Sequence, residues 1–183
     1  MNKRLDCIAF HEAGHAVAHI LAGIPFKYVT ILEDKEKDEH GVLSLGHVMD
    51  DKPKTVEEWD KYSLLDPKEF DIFFKDDFIK LSGFVAELLY KGRASYKGSK
   101  GDFRHWAGTS LNKLPEKLSS KYQSFLLEYT FNVLNDKTTW SNIVAVTLAL
   151  IDKDTLSYKE VCDIIKKDLK NPVLKMAVKK YGL

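Results

Sequence analysis

Apolar residues recur at intervals of three and four positions along most of the chain, the spacing of helices that bury one face. The first such segment covers residues 5–21 and ends at the breakers of residues 23–25 (Gly-Ile-Pro). Asp66-Pro67 supplies an N-cap and a first helical residue for a second helix, which continues to residue 90. The pattern therefore predicts a mostly helical chain.

Further helix starts and stops follow in the second half. Asp102 is predicted to begin a helix after a glycine- and serine-containing loop over residues 93–101, and Pro115 begins one that runs to about residue 135. Residues 139–152 form a short apolar helix, and residues 157–160 (SYKE) match the capping box of another. A last boundary is predicted at residues 171–172, whereas residues 50–65 are predicted to be irregular.

Two short segments have the character of strands. Residues 27–32 (KYVTIL) are rich in β-branched side chains, and residues 42–48 form a second, weaker strand. The highly charged residues 33–40 between them predict a hairpin with a long, solvated loop. We find no repeat or interdomain linker, so residues 1–183 are expected to form one α+β domain, mostly α with a small β-hairpin or sheet.

Composition narrows the function classes. Lys and Arg total 28 and Asp and Glu total 27, so the net charge is +1. This balance gives no reason to expect a nucleic-acid-binding surface. Cys7 and Cys162 are far apart and form no C-x-x-C pair, which favours a reducing compartment. No signal peptide is recognisable, and no apolar run approaches the ~20 residues that cross a bilayer. We therefore expect a cytoplasmic protein without a membrane span.

His11-Glu12-Ala13-Gly14-His15 is an H-E-x-x-H sequence within the first predicted helix. Residues four apart lie on one helix face, so His11 and His15 can converge on one zinc ion. Glu12 lies beside them and can deprotonate a water that zinc has acidified. Two histidines beside a core by chance are the alternative, but burying three such polar side chains without a task is costly. The motif predicts a zinc site with Glu12 as general base.

Zinc in a catalytic site needs a third protein ligand and one open position. His19 continues the i, i+4 series, but it lies about 12 Å along the helix axis from His11, too far for joint convergence on one metal. Spacing alone does not choose among the remaining candidates, which are His40, His47, His105, Glu87 and Asp102.

Several segments resemble the FtsH family of ATP-dependent zinc metallopeptidases. Residues 8–17 (IAFHEAGHAV) resemble its zinc-site helix, in which H-E-A-G-H-A is the hallmark, and residues 28–31 (YVTI) resemble the strand that follows. Residues 81–89 (LSGFVAELL) are similar to its G-x-x-A-E-E helix, and residues 98–102 (GSKGD) stand where the family has G-A-S-N-D. Residues 145–165 are similar to its closing helices.

The resemblance implies a zincin-type peptidase fold like the FtsH protease domain, with Asp102 as the third zinc ligand. It implies that Glu87 supports the site, although a packing or capping carboxylate is an equal alternative. It further implies that the strand containing Thr30 binds a peptide by adding a strand beside it. Ser99 and Gly101 depart from the family pattern, so the loop before Asp102 is expected to differ in shape. Leu88 stands where the family usually has a second glutamate.

The sequence contains no G-x-x-x-x-G-K-[S/T] phosphate loop, and we expect a stand-alone peptidase domain without the family's ATPase and membrane segments. The leading hypothesis is a zinc endopeptidase that cleaves peptides or unfolded proteins, with a separate ATPase as a possible partner. The alternatives are a zinc-binding adaptor or regulator with little or no activity, and a protease specific for one regulatory protein. The sequence leaves substrate identity and oligomeric state open, from monomer to small oligomer.

Overall fold

The computed structural model describes residues 3–33, 45–51, 56–60, 66–94 and 98–167. These residues form seven α-helices and three strands. The helices are α1 (Lys3–Ala22), α2 (Val56–Trp59), α3 (Pro67–Lys91), α4 (Lys100–Thr109), α5 (Glu116–Leu134), α6 (Lys137–Lys153) and α7 (Tyr158–Lys167), with a 3-10 turn at Leu111–Lys113. The strands are β1 (Phe26–Thr30), β2 (His47–Asp50) and β3 (Thr155–Ser157). A mostly helical chain with a small antiparallel sheet, the predicted α+β class, is confirmed.

The sheet has the order β2-β1-β3, with β1 antiparallel to both neighbours. Thr30 is paired with His47 on one side and with Thr155 on the other. The expected β1–β2 pairing is therefore present, but β3 was not predicted. A three-residue strand that ends on the first residue of a capping box has no alternation long enough to indicate a strand.

The central position of β1 contradicts the expectation that a peptide adds beside the strand containing Thr30. Strand addition needs a free row of backbone N–H and C=O groups. Both edges of β1 are already paired over Tyr28–Thr30. A peptide has no free edge there.

Several element boundaries differ from the predicted ones. The second strand covers residues 47–50 rather than 42–48, and the short α2 lies in a stretch predicted to be irregular. Helix α4 begins at Lys100, before Asp102, and α6 begins at Lys137 because Asp136 caps it. The predicted strand residues 42–44, the loop residues 34–40 and the boundary at residues 171–172 lie outside the described residues.

The predicted capping box at the start of α7 is confirmed. The Ser157 backbone N–H donates to the Glu160 carboxylate (2.9 Å), and the Glu160 backbone N–H donates to the Ser157 hydroxyl (3.3 Å). These bonds satisfy donors that the first helical turn leaves unpaired. One serine thus ends β3 and begins α7.

Helix α1 lies in the centre of the core, packed on α3 and α6. Its buried face is built from small residues, with Ala9, Ala13 and Ala16 fully buried. A Cβ atom on Gly14 would lie only 2.6 Å from the Ser82 carbonyl oxygen of α3. The missing side chain therefore lets the two backbones approach, and it brings the motif helix directly against α3.

Within the described residues, no helix combines the length and the apolar character that crossing a membrane requires.

Candidate metal centre

Two helices bring His11, His15 and Asp102 together. His11 and His15 lie one turn apart on α1, and Asp102 lies in the first turn of α4. The Nε2 atoms of the two histidines are 3.1 Å apart, and Oδ2 of Asp102 is 3.2 Å from Nε2 of His11 and 3.5 Å from Nε2 of His15. Among the described residues this is the one group of three or more His, Cys, Asp or Glu side chains arranged to hold a metal ion.

The geometry of the three donor atoms fits zinc. Tetrahedral ligands about 2.1 Å from a zinc ion lie about 3.4 Å from one another. The three measured separations, 3.1, 3.2 and 3.5 Å, form a triangle of nearly that size. Two imidazole nitrogens and one carboxylate oxygen are also a donor set that zinc accepts, and three protein donors leave a fourth position for a reactant.

Gly83 of α3 leaves room at this triangle. A Cβ atom there would overlap Nε2 of His15 and lie 2.7 Å from Nε2 of His11. Any other residue would therefore place its side chain against the two donor nitrogens. The bare backbone of α3 at Gly83 is a structural requirement for the convergence of His11 and His15.

The tautomer of His15 is set by α3. Its Nδ1 atom lies 2.7 Å from the backbone carbonyl oxygen of Ile79, in a buried contact. Because a carbonyl only accepts, Nδ1 carries the hydrogen, and in the neutral ring the Nε2 lone pair points to the triangle. Such a bond also fixes the orientation of the ring.

Glu87 lies behind His11 and outside the donor triangle. Its Oε2 atom is 4.0 Å from Nδ1 of His11, and its Oε1 atom accepts a hydrogen bond from Nζ of Lys91 at 3.1 Å. Glu87 is buried. Its negative charge faces the ring nitrogen that is turned away from Asp102, which is a supporting position rather than a ligand position.

The charges of the site are strongly coupled. Burial alone would lower the pKa of His11, but the hydrogen bond to Asp102 and the negative charges of Asp102, Glu12 and Glu87 raise it to about 9. Burial would raise the pKa of Asp102, yet the neighbouring His15 and His11 hold it well below its usual range. Asp102 is therefore an anion at neutral pH, and a divalent cation would compete with protons for the histidine nitrogens.

Glu12 is buried beside His11, and its side chain lies close to Gly46, directly before β2. A Cβ atom on Gly46 would lie 2.9 Å from Cγ and 3.0 Å from Oε1 of Glu12, and 2.9 Å from the Thr30 carbonyl oxygen. The side chain of Glu12 thus extends from α1 to the sheet. Gly46 is needed for that close approach.

The structure brings the other candidate ligands into different contacts. Nδ1 of His19 lies 3.1 Å from the carbonyl oxygen of Ile24, and its Nε2 lies 3.4 Å from Asp50. His47 lies 3.4 Å from the Tyr28 hydroxyl, and His105 lies 3.3 Å from Asp76. His40 is outside the described residues. The exclusion of His19 by distance agrees with this placement.

Three contributors to the site were not predicted from the sequence. They are Gly83, the carbonyl oxygen of Ile79 and Gly46. Gly83 is the glycine of the segment that resembles the G-x-x-A-E-E helix, so that motif was the available signal. A backbone carbonyl leaves no trace in a sequence, and Gly46 meets Glu12 only through the pairing of β1 with β2.

Comparison with known protein families and with curated proteins found no match for the chain. Support for a function therefore comes from the geometry of the site and from the motifs themselves.

Proposed function

We propose that this chain is a zinc-dependent endopeptidase that hydrolyses peptide bonds in peptides or unfolded proteins. The observation that supports it most is the convergence of His11, His15 and Asp102 from two helices, with Glu12 next to His11 in sequence. The donor separations have the size of one face of a zinc tetrahedron. This is a more demanding condition than the five-residue motif alone.

The roles of the residues follow from their chemistry. His11, His15 and Asp102 would hold the zinc ion, which supplies Lewis-acid chemistry when bound. Glu12 would accept a proton from the attacking water and return it to the leaving amine nitrogen. Ile79, through its carbonyl, keeps the lone pair of His15 on the metal side.

A zincin-type, FtsH-like peptidase fold is part of the same proposal. Its support is the order of the similar motifs along the chain and the position of Asp102 beside the histidines. The 183 residues contain no phosphate loop, so ATP-driven unfolding would have to come from another domain or from a separate ATPase. Peptides and unfolded chains are the substrates that need no such step.

A zinc-binding adaptor or regulator is the second candidate. The observation that favours it is the internal position of β1, which removes the strand edge expected to bind a peptide. The residues before Asp102 also depart from the family pattern, and the Ser99 side chain makes no capping bond to α4. Such a protein would bind zinc with the same ligands but would not turn over peptides.

Replacement Glu12→Gln distinguishes these functions. It removes the base but leaves the three ligands, so we expect about one zinc ion per chain and at least about a hundredfold slower cleavage of casein, an unfolded substrate. Metal content and release of labelled peptides are measured on the same preparation. Glu116→Gln, an exposed glutamate on α5, is the matched control and should cleave like the wild type.

The possible outcomes separate the proposals. Chelator-sensitive cleavage by the wild type rejects the adaptor function. Zinc binding without cleavage of any substrate in a varied peptide library rejects the endopeptidase. Full activity of Glu12→Gln would show that another group activates the water.

A further inference from the structure

Four large apolar side chains remain exposed where α3 and α5 pack together. Their exposed fractions are 36% for Phe70, 46% for Leu118, 52% for Phe125 and 39% for Tyr129. The half-buried ring of Phe74 links three of them, with its centroid 5.9 Å from Phe70, 6.2 Å from Phe125 and 5.0 Å from Tyr129. We call Phe70, Leu118, Phe125 and Tyr129 the aromatic patch.

Helix α5 has two separate faces. Leu126, Thr130 and Leu134 are fully buried and face the core. Leu118, Lys121, Phe125 and Glu128, listed in chain order, are spaced by three, four and three residues and are all exposed, so they lie along one stripe on the solvent side. A stripe with this spacing can lie along one partner helix, with Leu118 and Phe125 as its apolar contacts and Lys121 and Glu128 as its charged ones.

The charges of this stripe suit an antiparallel copy of the same helix. Lys121 lies four residues before Phe125, and Glu128 lies three residues after it. If two copies of α5 cross antiparallel at Phe125, Lys121 of one copy is level with Glu128 of the other to within about 1.5 Å. Within the described residues, neither Lys121 nor Glu128 forms an ion pair. A parallel arrangement would instead place like charges together.

We propose that two copies of this chain form a dimer through the aromatic patch, with α5 antiparallel to α5 and the two-fold axis near Phe125. Because such an interface is isologous, each Lys121–Glu128 pair occurs twice. The inference is independent of the zinc site, since it rests on α3 and α5 residues that take no part in metal binding.

The size of the patch defines the kind of dimer. From the exposed fractions, the four side chains present roughly 300 Å² of apolar surface. Two copies together would bury roughly 600 Å² of apolar surface. Since apolar atoms make up about 60% of an interface, the total buried area is roughly 1,000 Å², near the lower limit for specific association. The dimer is therefore expected to dissociate in the micromolar range and to depend on concentration.

Analytical ultracentrifugation from about 1 to about 500 μM tests the proposal on the full chain. The wild type should shift from monomer to dimer across this range. Phe125→Ser should weaken the dimer at least about tenfold, because it removes the side chain at the axis. Leu148→Ser is the matched control, since Leu148 is 58% exposed but lies on α6. Circular dichroism confirms that both variants keep the wild-type helix content.

A charge swap gives the more specific readout. Lys121→Glu and Glu128→Lys should each weaken the dimer about tenfold, because each creates two repulsive pairs across the axis. The double variant should restore the wild-type constant to within about threefold. This recovery is not expected if the single variants act by disturbing the fold.

Three results would overturn the proposal. A wild type that stays monomeric at the highest concentration excludes a self-associating patch. If Leu148→Ser dissociates the dimer and Phe125→Ser leaves it intact, the interface is on α6 instead. Failure of the double variant to recover, with both single variants folded, excludes the antiparallel arrangement.

Discussion

Asp77 is a fully buried carboxyl group that connects three elements. It lies on α3 and accepts hydrogen bonds from the Ser110 hydroxyl at the end of α4 (2.5 Å) and from the Tyr122 hydroxyl of α5 (2.7 Å). Burial raises its pKa from 3.8 to about 7, although both hydrogen bonds act in the opposite direction. Asp77 therefore links α3 to the end of α4 and to α5 inside the core, which its place in a helical sequence pattern does not indicate.

This pKa makes stability depend on pH. The folded chain holds a proton on Asp77 between about pH 4 and pH 7, where the unfolded chain has already released it. The free energy of unfolding should therefore fall as pH rises through this window, by at most about 4 kcal/mol, and should show no further loss from Asp77 above it. Urea denaturation at several pH values measures the slope.

Asp77→Asn should reduce that slope, because the amide does not titrate. Asp71→Asn is the control, since Asp71 lies on the same helix with its side chain 64% exposed and paired with Lys75. Equal slopes for the wild type and Asp77→Asn would exclude Asp77 as the source of the pH dependence.

Helix α6 shows how an element can begin earlier than its apolar pattern. The periodic apolar residues indicate a start near residue 139, but Asp136 is the N-cap and the helix begins at Lys137. Oδ1 of Asp136 accepts hydrogen bonds from the backbone N–H groups of Thr138 (2.9 Å) and Thr139 (3.2 Å). The first turn is held by its cap, whereas the pattern follows only the buried face.

Replacing this cap should destabilise the protein measurably. Asp136→Ala removes the acceptor for two backbone donors, and we expect a loss of about 1 kcal/mol in the free energy of unfolding. Ser141→Ala is the control on the same helix, because the exposed Ser141 hydroxyl only bonds back to the Lys137 carbonyl. No difference between the two variants in thermal and urea unfolding would exclude a stabilising cap.

The geometry of the proposed zinc site depends on the whole molecule. Helix α1 supplies the two histidines, α4 supplies Asp102, and α3 supplies the bare backbone at Gly83 and the Ile79 carbonyl. The close α1–α3 crossing at Gly14 brings the two histidines against Gly83 and Ile79. A change in the packing of any of these helices is therefore expected to move the donor atoms of the site.

Gly83→Ala is the smallest test of this assembly. The added methyl group would overlap the nitrogen of His15, so we expect zinc affinity to fall at least about a hundredfold while the helix content is kept. Competition with a zinc-binding dye measures the affinity. Gly101→Ala is the matched control, because a Cβ there meets no heavy atom within 4 Å. Unchanged zinc binding by Gly83→Ala would argue against the site.

The sequence by itself predicted the long helices, the capping box at Ser157 and the candidate residues His11, Glu12 and His15. These depend on spacings of three and four residues and on local hydrogen bonds, which are visible along the chain. Residue spacing could not choose among the five candidate third ligands, and the choice of Asp102 came from motif resemblance.

Only the tertiary structure brought Asp102 beside the two histidines, made β1 internal and placed Gly83 against the donor nitrogens. Asp102 lies 91 positions from His11, and β3 lies 125 positions from Thr30. Such contacts are set by the way helices and strands pack in space, and no local pattern encodes that packing.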